Sequence, residues 1–269
     1  MKRDSAAIKT IAVPSDGILD ADTQFINAYD TDDGKVVMDV IRTDTGNTAT
    51  EPTSWPWAAS IEDFTKHTGR RSLLRYTIDP SKGSIVSKET LVAKQCYFGV
   101  INPAVSASKH RYVYFAVGAM GSAVAPPQGI ARLDTESNQI QEWIPNASEF
   151  CGEPMFVAKE GAAAGVEDDG YVLSVLYNGK ARESELVVFD AANVSSGPIA
   201  RVSLGVSVPH GLYGCFAPNE VPTVDEVDRR AKLADKMESR GNMWNEVKSD
   251  FSGLGLRLDD LEEYFGDIM

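Results

Sequence analysis

Short runs in which apolar and polar positions alternate, or in which apolar residues follow one another for four to six places, fill the chain up to about residue 218. They include KVVMDVIRTD (35–44), SLLRYTID (72–79), RYVYFAVGAM (111–120), GIARLD (129–134) and QIQEWI (139–144). Further along come EPMFVA (153–158), GYVLSVLYN (170–178), SELVVFDA (184–191) and IARVSLG (199–205). Each is of strand length and rich in Val, Ile, Tyr and Phe, with Gly, Asp, Asn or Pro in the gaps, so each predicts a β-strand. ARLDTESNQIQEWI and GYVLSVLYNGKARESELVVFDA predict hairpins. Strands in succession without amphipathic helices predict an all-β sandwich, barrel or propeller. A strand group returns about every 40 to 50 residues, which favours propeller blades and gives roughly four of them.

Two stretches break the pattern. Residues 46–70 are rich in Thr, Pro and Trp and predict a long loop with a helical turn near IEDF, Trp55 and Trp57 anchoring it on the body. After Pro218 the period changes: Thr223 and Glu226 form a capping box, and Val224, Val227, Ala231 and Ala234 recur at helical spacing. Trp244, Val247 and Phe251, then Leu258, Leu261 and Phe265, continue the helical reading, so residues 219–269 predict an acidic amphipathic tail. Residues 1–17 form a divergent leading segment without the apolar stretch of a signal peptide.

The chain has 269 residues and a net charge of −13, which disfavours nucleic acid and adhesion to anionic lipid. That charge leaves open a peripheral membrane contact through an apolar patch. Three widely spaced cysteines, Cys96, Cys151 and Cys215, predict reduced thiols in an intracellular compartment rather than a disulfide framework or zinc site. No apolar run is long enough to span a bilayer.

Catalytic material is sparse. His67, His110 and His210 share no short metal-binding spacing, and the first two read as surface residues or residues at the start of a strand. EDDG (167–170) reads as a tight acidic turn, and Glu153 as a buried hydrogen-bonding group ahead of a strand. Ser174 and Ser184 lack both an adjacent base and a nucleophile-elbow context, so a hydrolase triad is not expected.

Several segments, taken in order, resemble the carotenoid cleavage oxygenase family: FINAYD (25–30), LLRYTID, CYFGVINP (96–103), RYVYFAVG, GIARLD, GEPMFV (152–157), EDDGYVLSVLYN, SELVVFDA and VPHGLYGCF (208–216). The resemblance covers residues 18–218. It implies a partial seven-bladed propeller, about four C-terminal blades with a short helical tail. It also implies the family activity, in which four histidines hold Fe(II), glutamates orient some of the imidazoles, and O₂ cleaves a polyene double bond of a carotenoid or apocarotenoid.

The chain departs from that pattern where the chemistry sits. A stretch like FHFINAYE reads TQFINAYD here, which puts Gln24 at a ligand position. CEFPRINP reads CYFGVINP, with Tyr97 in place of an orienting glutamate, and PHGLHGCF reads PHGLYGCF, with Tyr213 at another ligand position. The other two ligands would lie upstream of Met1. A neutral amide oxygen is a weak ligand for Fe(II), and a tyrosine must ionise, from a pKa near 10, before it ligates. His210, three places before Tyr213, is a weak alternative ligand. The resemblance thus implies lost iron binding and no competent catalytic residue, and a propeller that needs an N-terminal half or another chain to close it. Two functions remain open: part of an iron-dependent dioxygenase, or an iron-free pseudo-oxygenase that binds an apocarotenoid or a protein. Plastid and cytoplasm are not distinguished.

Overall fold

A computed structural model describes residues 23–44, 69–119, 125–163, 165–209, 211 and 214–217. The expected long loop with Trp55, Trp57 and His67, the leading segment and the helical tail lie outside the described residues, apart from the loop's last two positions. The chain divides into two compact units, residues 1–216 and 217–269, and the strands below belong to the first.

Among the described residues, thirteen strands form three antiparallel sheets, each assembled from a contiguous stretch of the chain. The first sheet holds β1 (Gln24–Asp30), β2 (Val36–Asp44), β3 (Arg70–Asp79) and β4 (Ser84–Val92) in that order. The second holds β5 (Cys96–Val100), β6 (Tyr112–Gly118), β7 (Pro127–Asp134) and β8 (Gln139–Trp143). In the third, β10 (Met155–Ala158), β11 (Gly170–Asn178), β12 (Glu183–Asp190) and β13 (Ala200–Ser203) follow one another, and β9 (Glu149–Cys151) also pairs with β11. Both predicted hairpins are present, as β7–β8 and β11–β12. Two short 3-10 turns, Pro103–Val105 and Val194–Ser196, are the helical pieces among the described residues. The all-β expectation therefore holds, with three sheets described where the spacing predicts about four.

Hairpin turns reuse one device. Asp79 accepts the amides of Ser81 and Lys82, Asp134 those of Glu136 and Ser137, and Asn178 those of Lys180 and Ala181. A short acceptor side chain that satisfies its own turn in this way selects a tight reversal.

Strand alternation then distributes the core between sheets. On β6, Tyr114 and Ala116 join a buried cluster with Phe156, Val172, Leu176, Val187 and Phe189 of the third sheet. Val113, Phe115 and Val117 point the other way, into a cluster with Ile41 and Leu73 of the first. The middle sheet is therefore covered on both faces, and β7 is buried along nearly its whole length. The last strand of each sheet, β4, β8 or β13, is largely exposed.

Candidate functional site

The segments carrying the altered positions meet where β1 of the first sheet touches β5 of the second. Gln24 opens β1 and is buried at 8 % exposure. Its Oε1 accepts the backbone N–H of Phe98 at 2.7 Å. Phe98 has φ = 55°, the left-handed region that a bulky side chain adopts only under constraint, at about 1–3 kcal/mol. Both strands are irregular at this contact: the β1–β2 register shifts between Phe25 and Asn27, and the β5–β6 register between Tyr97 and Val100. Gly99 permits the close approach, since a Cβ there would stand 2.5 Å from Ile26 Cδ1.

Tyr97, next to Phe98, is fully buried. Its hydroxyl donates to the Ala125 carbonyl at 2.6 Å and accepts from Gln95 Nε2 at 2.7 Å. Gln95 Oε1 in turn accepts the Arg71 amide at 2.8 Å, and the Arg71 guanidinium lies 5.0 Å from the Tyr97 ring centroid. The structure thus brings Gln24 and Tyr97 to adjacent places on one joint, with each polar end turned to a backbone group.

A third segment comes to the GEPMF stretch. The Glu153 carboxylate accepts the amide of Gly214, the residue after Tyr213, and Gly214 also lies against Met155. Burial pushes the Glu153 carboxyl above the usual carboxylate range, and the Gly214 bond only partly offsets it. Glu153 is accordingly a hydrogen-bonding group ahead of a strand, as the sequence predicts, but it is half-buried rather than buried. His210 and Tyr213 themselves lie outside the described residues.

His110 stands just before β6, as expected, but it is buried at 1 % exposure and is not a surface residue. Asn27 fixes its chemistry. Asn27 Oδ1 accepts the Ala107 amide at 2.9 Å, so Nδ2 donates to the Ser108 carbonyl at 2.9 Å and faces His110 Nδ1 at 3.0 Å. That hydrogen-bond assignment makes Nδ1 an acceptor and puts the proton on Nε2, which lies 3.0 Å from Asp39 Oδ2, an ion-pair distance without hydrogen-bond alignment. Asp39 also receives both arms of Arg75 at 2.7 Å. Burial alone would raise the Asp39 carboxyl, but Arg75 and then His110 hold it below its ordinary value. This imidazole is thereby committed to a polar tie between the first two sheets.

EDDG is likewise more than a turn. The Glu167 carboxylate accepts the amides of Arg111 and Tyr112, and its carbonyl accepts Asn102 Nδ2 at 2.9 Å. Asp168 pairs with Arg132 at 2.5 Å, and Asp169 accepts the Ala163 amide at 3.1 Å. Sequence reading missed the role because every partner except that of Asp169 lies on or beside the second sheet.

Could these residues hold the Fe(II) that the resemblance implies? The described positions do not fit it. Gln24 offers an amide oxygen already accepting a backbone N–H, Tyr97 turns its hydroxyl to Ala125, and His110 is held between Asn27 and Asp39. Among the described residues no group of three or more His, Cys, Asp or Glu side chains is placed to hold a metal ion.

Residues 23–218 match the RPE65 family, the retinal pigment epithelial membrane protein family. An apocarotenoid-15,15'-oxygenase from Synechocystis is 31% identical over 221 residues, covering 80% of this chain and 41% of the relative. A zeaxanthin 7,8(7',8')-cleavage dioxygenase from Crocus sativus is 32% identical over 201 residues, covering 71% of this chain and 49% of the relative. The crystal structure of a cobalt-substituted Synechocystis oxygenase superposes with a TM-score of 0.69 at 29% identity, covering 80% of this chain and 42% of that one. The chain therefore spans less than half the length of these relatives.

Proposed function

This chain belongs to the RPE65 and carotenoid cleavage dioxygenase family, and on that footing we propose that it is an iron-free member of the scaffold that binds a carotenoid or apocarotenoid without cleaving it. In an active member, Fe(II) would supply O₂ activation, and cleavage of the polyene double bond would give two carbonyl products. The observation that carries the reading is Gln24, buried where the resemblance expects a ligand, with its oxygen accepting the Phe98 N–H. Tyr97 supports it, since a hydroxyl given to a backbone carbonyl does not orient a neighbouring imidazole as a carboxylate does.

A second reading has one observation in its favour. Glu153 keeps a carboxylate beside the Gly214 segment, which suits a chain that supplies the C-terminal part of a dioxygenase. In that case an N-terminal half or another chain closes the propeller and brings ligands. Under either reading the substrate class is a carotenoid or apocarotenoid, met in solution or through a peripheral membrane contact, in a plastid or the cytoplasm. Among the described residues no helix is long and apolar enough to cross a membrane.

The test is to incubate the purified protein with an apocarotenal under O₂, following aldehyde products by chromatography and melting temperature in parallel. The iron-free reading predicts a raised melting temperature and no new aldehyde. Aldehyde formation in step with O₂ uptake would overturn it.

A further inference from the structure

We propose that Gln24, standing where the resemblance expects an iron-ligating imidazole, is a clamp between the first two sheets that holds the left-handed backbone of Phe98 in place. The inference rests on the iron-free reading and gives the replaced position a role.

The Phe98 amide needs an acceptor from outside its own sheet. Register between β5 and β6 jumps from Tyr97 to Val100, so Phe98 and Gly99 have no partner residue on β6. Phe98 is only 7 % exposed, which removes water as a ready substitute. Gln24 Oε1 fills the gap at 2.7 Å, from a strand that is itself bulged beside that residue. Gly99 completes the fit by leaving room for Ile26.

Hydrogen-bond polarity at the joint suits both departures from the family pattern. An imidazole that ligates a metal through one nitrogen presents N–H at the other and calls for a carboxylate beside it. Gln24 presents an acceptor instead, and a backbone N–H meets it. No carboxylate is then needed at position 97, and Tyr97 joins the hydrophobic cluster with its hydroxyl between Gln95 and Ala125.

The experiment is amide exchange and through-hydrogen-bond coupling by NMR on the full chain. In the wild type we expect a protected Phe98 amide and a coupling between Phe98 N and the Gln24 side-chain carbonyl carbon. Gln24→Leu, which removes the acceptor, should speed Phe98 exchange by about tenfold or more, whereas Gln24→Glu, which keeps an acceptor, should retain protection. Equal protection in wild type and Gln24→Leu would overturn the clamp. Should the leucine variant not fold, the wild-type coupling decides alone: its presence supports the clamp and its absence refutes it. A Co(II) titration separates the two ideas. Cobalt bound with the Phe98 coupling intact sinks the iron-free reading and spares the clamp, and cobalt that abolishes the coupling sinks both.

Discussion

Replacing Asp168 by asparagine should cost far more than its position in an acidic turn suggests. Arg132 is 7 % exposed, with its guanidinium 2.5 Å from Asp168 Oδ2 and 3.8 Å from the Tyr112 ring centroid. Asp168→Asn keeps the shape and removes the charge, which leaves a buried cation facing a neutral amide. Breaking a buried pair on one side costs about 3–5 kcal/mol. Two features reduce that here: the Asp168 side chain is 19 % accessible, and the Tyr112 face still attracts the cation by about 1 kcal/mol. The expected loss is about 2 kcal/mol, or roughly 4–8 °C in melting temperature for a domain of this size. Lys94–Glu142 is the control, at a similar 2.6 Å but with side chains 24% and 40% accessible. Glu142→Gln should cost about 0.5 kcal/mol or less, because solvent screens the pair. Urea unfolding followed by circular dichroism measures both. In a cycle with Arg132→Met, the Asp168–Arg132 coupling should be about 1.5–2 kcal/mol. An Asp168→Asn loss no larger than that of Glu142→Gln, or an additive cycle, would refute the argument that burial rather than distance sets the strength.

Asp39 gives a pH prediction. Its folded carboxyl is held low, so its contribution is full above the unfolded value near 3.9 and is lost as pH falls through the folded value. The stability gap between wild type and Asp39→Asn should therefore be flat from neutral pH down to about 5 and shrink at lower pH, as read from denaturant midpoints. Gly99→Ala should destabilise by about 1–2 kcal/mol through the clash with Ile26, and Ile26→Val in the same chain should recover part of it. Tyr97→Phe takes the hydroxyl from the Ala125 carbonyl and leaves Gln95 Nε2 with only its long bond to the Gly69 carbonyl, and should lower stability by about 1–2 kcal/mol in the same unfolding assay.

Much of the architecture was legible because each strand advertises itself locally. β6, β11 and β12 alternate or run apolar over most of their length, and Asp134 and Asn178 mark the turns of the β7–β8 and β11–β12 hairpins. β4 escaped because it is an outer strand whose middle residues face solvent, so its sequence SIVSKETLV carries little apolar signal. β9, at three residues, is too short to show a period. The joints between sheets were illegible for a different reason. Asn27 meets His110 across 83 positions, and Glu167 meets Arg111 across 56. Nothing local in EDDG or in KHRY announces such a partner. At the candidate site, sequence identified Gln24 and Tyr97 as departures from the family pattern. It did not reveal that Gln24 bonds to the residue beside Tyr97, because that contact depends on two bulges and a left-handed Phe98.

The claim that this scaffold does not hold iron is tested most directly by metal content. The full chain is loaded anaerobically with excess ferrous iron, desalted, and its iron-to-protein ratio measured by mass spectrometry. An iron-free scaffold gives a ratio indistinguishable from that of a metal-free control protein. A ratio near one that survives desalting would contradict it.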